Sequence, residues 1–120
     1  MLIAGAGSQA KIVYKPEFFT AVYEMYGDGG ILAILAHEVG HAIDATGTVR
    51  WMKPTWTPEL RADAWTGCAL AKVNLTDREL RAAFGALEKY PSAQHPSWAM
   101  RLPVVQAGYM ECGGKEKRGP

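Results

Sequence analysis

Two of the chain's three histidines stand four residues apart with a glutamate between them, in His37-Glu38-Val39-Gly40-His41. On a helix this spacing puts both imidazoles on one face, a turn apart, where they reach a single metal ion. Glu38 projects beside them, placed to take a proton from a water that the ion activates. Zinc suits the pattern because it accepts neutral imidazole and carboxylate and leaves a fourth position for water. The competing account is a core helix whose histidines only pack or cap, with Glu38 in solvent. With three histidines in 120 residues, chance placement of two on this pattern is the weaker explanation.

Two histidines do not close a catalytic zinc site, so a third protein ligand must come from elsewhere. The extended form of the motif needs glycine at position 44 and histidine at position 47; the chain has Asp44 and Gly47 there. The other form takes a glutamate from a later helix. Glu59-Leu60-Arg61-Ala62-Asp63 supplies one, with seventeen residues separating it from His41. Glu59 would bind the metal. Asp63, one turn on along the same face, would accept the free ring N–H of a ligand histidine and fix its tautomer. The alternative for Glu59 is an ordinary acid in a helix's first turn, where the dipole favours it anyway. Asp44, one turn past His41, is the rival ligand or a helix-end contact.

Several elements must position these groups. Lys11 to Lys15 reads as a strand ended by Pro16. Pro16 opens a helix with Phe18, Phe19, Val22, Tyr23 and Tyr26 as its apolar face, and Gly27-Asp28-Gly29-Gly30 breaks it. Ile31 to Ala45 is the motif helix, closed by Gly47. After a loop from Thr48 to Trp56, Thr57-Pro58 starts the glutamate helix, which runs to about Val73. Thr76 and Glu79 form a capping box for a helix to about Lys89. Tyr90 to Pro96 is a loop, and a last helix, kinked or interrupted at Pro103, ends near Met110.

At 120 residues with 48% hydrophobic content, one domain spanning 1–120 is expected, its core at about 11–113. Thirteen basic and twelve acidic residues leave a net charge of +1, which does not track a polyanion, so nucleic acid is not an expected partner. No apolar run approaches the roughly 18 residues of a membrane span. Met1 to Ala10 lacks the basic and long apolar regions of a secretory signal, so the chain is expected to be cytoplasmic, or exported if a leader lies upstream. Cys68 and Cys112 make no C-x-x-C knuckle; they are structural, either buried or bridged in an oxidising compartment.

The order His37-Glu38-x-x-His41, Glu59-x-x-Ala62-Asp63, His95-Pro96-x-x-x-x-Arg101 resembles the gluzincin-type zinc metallopeptidases grouped with the CAAX prenyl endopeptidase, and most of all their small soluble relatives. The resemblance runs from about Lys11 to Gly113. It implies an α+β, mostly helical, zincin-like minimal domain: a small N-terminal sheet, a motif helix and a glutamate helix. It also brings in His95, as a donor to the oxyanion of a tetrahedral intermediate or a cap on the last helix. Arg101 is an ion-pair partner supporting the site, and Tyr109 is the alternative oxyanion donor. The membrane helices of the larger members are missing, so nothing about prenylated substrates carries over.

The expected function is peptide-bond hydrolysis on a peptide or protein substrate. One zinc ion (Zn2+) sits on His37, His41 and Glu59, with Glu38 as general base. The strand at Lys11 to Lys15 is a candidate edge for an extended substrate. Two alternatives stand: a zinc hydrolase acting on another amide, and an inactive helical binding module that retains the motif.

Overall fold

The computed structural model describes the backbone of residues 2–4, 11–13, 15–47, 49–90 and 96–114, and side chains from residue 15 onward within those ranges. Its body is four helices: α1 Pro16–Asp44, α2 Pro58–Lys72, α3 Asp77–Lys89 and α4 Trp98–Glu111. Ahead of them, Leu2–Ala4 and Lys11–Val13 pair antiparallel, three residues on each side. A two-stranded ladder of that length forms no layer and is marginal on its own. The expected α+β domain with an N-terminal sheet beside the motif helix is therefore corrected to a helical one. Ile12 and Val13, which suggested a strand, pair with Ile3 and Leu2, and no further strand joins them among the described residues.

Local chemistry accounts for the helix starts. Lys15 is extended and Pro16 takes the first position of α1. The Thr57 hydroxyl accepts from the Leu60 N–H at 3.3 Å at the head of α2. At α3 the capping box closes both ways: Glu79 N–H donates to the Thr76 hydroxyl at 3.1 Å, and Thr76 N–H donates to Glu79 Oε1 at 2.9 Å.

Two boundaries differ from expectation. The break expected across 27–30 shrinks to one residue, Gly27, at φ 64° and ψ −157°, with helix resuming at once. Only glycine enters that region cheaply, so the two expected helices become one kinked element. Pro103 does not interrupt α4. It and Ala99, whose carbonyl loses its usual donor, are both exposed, so water can serve that carbonyl.

The core has three parts. Ala33, Leu70, Ala83, Leu87 and Val105 join all four helices. Val22, Ile34 and Ala86, with Phe18, Tyr26 and Tyr90, seal α1 to α3. Met52, Leu60, Ala64 and Val104 pack with Trp51, Trp56 and Trp65 under the loop before α2. Tyr23, expected on the buried face of α1, is 56% exposed, because the kink and packing leave Val22 to face α3.

At the seam between α2 and α4 the backbones touch. A β-carbon on Gly67 would collide with the Val105 carbonyl oxygen, and one on Gly108 with that of Ala64. Beside this contact Cys68 and Cys112 form a disulfide with Cα atoms 5.0 Å apart.

Candidate metal centre

The stripe of α1 that carries His37 and His41 also carries Gly40 and Asp44, and it faces α2. The contacts run His37 to Asp63, then His41 to Glu59, so the two helices lie antiparallel. Gly40 makes this possible, since a β-carbon there would stand 3.0 Å from the Ala62 carbonyl oxygen and 3.0 Å from Trp65 Cβ. Close approach lets the short α2 carboxylates reach the imidazoles.

Three groups converge on one point. His37 Nε2 lies 3.2 Å from Glu59 Oε2, and His41 Nε2 lies 3.0 Å from Glu59 Oε1. The two rings are perpendicular with centroids 5.0 Å apart. One ligand atom from each of His37, His41 and Glu59 falls within 4.8 Å of the others, the arrangement a small cation needs. The donors, two imidazole nitrogens and a carboxylate oxygen, fit zinc in type and number and leave a position for water.

Behind the three lies a buried chain of charge. Asp63, 0% exposed, stands 3.0 Å from His37 Nδ1 through Oδ1. Arg101 donates to the same carboxylate, from Nε to Oδ2 at 2.9 Å and from Nη2 to Oδ1 at 3.0 Å. Its Nη1 donates to the Leu87 carbonyl at 2.9 Å, and its guanidinium lies over the Trp98 ring at 5.4 Å. One carboxylate thus ties a motif histidine on α1 to an arginine on α4.

These neighbours set the protonation. Burial lowers the His37 pKa, but bonds to Asp63 and Glu59 and the charge of both carboxylates outweigh it, so it rises to about 9. The metal-free ring is held as imidazolium between two anions. Burial pushes the Glu38 carboxyl above its ordinary range, and the charges of His37 and His41 oppose that rise. A half-buried carboxylate with raised basicity is suited to proton transfer.

Asp44, the rival ligand, is occupied. Arg61 Nε donates to its two oxygens at 2.8 and 3.0 Å, and Arg61 Nη1 donates to the Trp56 carbonyl at 2.8 Å. Sequence reasoning left Arg61 out, and the signal for it was faint: an acid in the last turn of a helix, against the dipole, calls for a nearby cation. Tyr109 packs against the core of Ala33, Leu70 and Val105. His95 lies outside the described residues.

Searched against protein-family models, curated proteins and solved structures, the chain matches none of them.

Proposed function

We propose that this chain is a zinc-dependent hydrolase of peptide bonds, related to the gluzincin-type peptidases that its three motifs resemble. The observation that carries the reading is the convergence of His37, His41 and Glu59 within 4.8 Å from two separate helices. Glu38 next to that cluster supplies the base such a reaction needs. Zinc bound there supplies a Lewis acid for water and for the scissile carbonyl.

The chain's own residues account for the rest. Glu38 accepts a proton from the attacking water, whose oxygen bonds to the carbonyl carbon. It then returns that proton to the leaving nitrogen as the C–N bond breaks. Asp63, fixed by Arg101, holds the His37 ring with its Nε2 turned to the cluster. The substrate in this reading is a peptide or protein. No described helix is long and apolar enough to cross a membrane. The Cys68–Cys112 disulfide favours an oxidising compartment.

Two measurements test the reading. Elemental analysis of protein purified without added metal should find about one zinc per chain, and chelation should lower its melting temperature. Refolded protein that takes up no zinc at neutral pH ends the proposal. Glu38→Gln should keep the zinc and lower turnover of a cleavable peptide at least roughly a hundredfold. An unchanged rate would assign the chemistry to another residue.

A further inference from the structure

We propose that Arg61 is a positioning residue for the metal centre. Tied to Asp44 and to the Trp56 carbonyl, it seats Glu59 against the two histidines. The proposal rests on the zinc reading above.

Glu59 occupies the first turn of α2, between exposed Thr57 and Pro58 on one side and buried Leu60 on the other. The N–H groups of a first turn lack helical partners; here the Thr57 hydroxyl caps that of Leu60 and Leu60 packs into the core, with Glu59 partly exposed between them. A metal ligand there needs an external tie, since a loose supporting shell is enough to spoil a site.

One turn further along α2 the tie is Asp63, locked by Arg101. Toward the end of α1 it is Arg61. Its Nε reaches both Asp44 oxygens at 2.8 and 3.0 Å, and its Nη1 reaches the Trp56 carbonyl at 2.8 Å. A single guanidinium therefore joins the end of α1, the loop before α2 and the start of α2. On α1 the partners of these two ties, His37 for Asp63 and Asp44 for Arg61, flank His41, which meets Glu59.

The placement of Asp44 supports a positioning role. It comes three residues after His41 and seven after His37, so it lies on the ligand stripe of α1. It also sits in that helix's last turn, where a negative charge opposes the dipole. The pairing with Arg61 offsets this local cost. It also withholds the Asp44 carboxylate from the metal, leaving Glu59 as the acid that completes the cluster.

Arg61→Met, Asp44→Asn, the double variant and Arg61→Lys, each in the full chain, provide the test. Zinc affinity is read by competition with a chromophoric chelator, and melting of the metal-free protein is followed in parallel. Each neutralising single change should weaken zinc about tenfold, in the range for loss of a supporting partner. The double variant should be no weaker than either single, because both remove the same tie. Arg61→Lys should fall between, since an ammonium keeps the charge but does not reproduce the forked contact to Asp44 and Trp56. Substituted cobalt(II) should show shifted visible bands in Arg61→Met, and the loss of zinc affinity should exceed what any drop in metal-free melting accounts for.

Wild-type zinc affinity in Arg61→Met overturns the proposal and leaves the metal reading standing. Wild-type protein that takes up no zinc overturns both. Affinity losses that track matching losses in melting temperature also overturn it, because a merely structural pair would give that result. If Arg61→Met does not fold, Asp44→Asn decides by the same two readouts.

Discussion

Helix α2 presents two different seams. Toward α1 it shows Glu59 and Asp63, and the contact is made of carboxylates, imidazoles and one close approach at Gly40. Toward α4 it shows Ala64, Gly67 and Cys68, and the contact is backbone on backbone beside a disulfide. The first seam stores charge that needs partners to stay buried; the second contributes close packing and a covalent link. Separating the two lets the charged side stay polar and half open while the other side holds the helices together. Asp63 bridges them, its Oδ1 shared by His37 and Arg101 and its Oδ2 taken by Arg101.

The largest expected effect breaks the packed seam. Gly67→Val drives a side chain into the Val105 carbonyl, so the backbones of α2 and α4 must move apart. Denaturant unfolding should show a loss of at least about 3 kcal/mol, or no cooperative transition at all. A variant as stable as wild type would mean that α2 and α4 do not touch this closely.

Removing the covalent link is expected to cost a comparable amount. Cys68 and Cys112 are 44 residues apart, and a loop of that length constrains the unfolded chain by roughly 4 kcal/mol in the chain-entropy account. The double Cys→Ser variant should unfold at lower urea while zinc affinity in its folded state changes little. A large change in zinc affinity without loss of stability would show that the seams are not separable.

The smallest effect reads the charged seam alone. In metal-free protein the His37 pKa, raised from 6.5 to about 9, contributes stability that is fully present below 6.5 and lost as pH rises through 9. Urea midpoints measured from pH 6 to 10 should therefore fall, and His37→Gln should flatten that fall. Zinc should offset it, since ligation needs the neutral ring. A midpoint that rises over this range would contradict the imidazolium held between Glu59 and Asp63.

Much of the local structure was legible without coordinates. Thr57-Pro58 and the Thr76–Glu79 box begin helices because their side chains satisfy N–H groups within three residues. The placing of His37 and His41 on one face follows from helical period alone. The strand at Lys11 was legible as a tendency, but whether a strand joins a sheet depends on neighbours elsewhere in the chain.

The sequence by itself thus determined where helices start and which donors share a face, since those depend on bonds between near neighbours. Which carboxylate meets which ring nitrogen was decided only by docking α2 on α1 across Gly40. The same holds for Arg61 taking Asp44, and for Cys68 reaching Cys112. These contacts depend on how closely two backbones approach, at Gly40 on one side of α2 and at Gly67 and Gly108 on the other. No period or spacing within a single helix carries that distance.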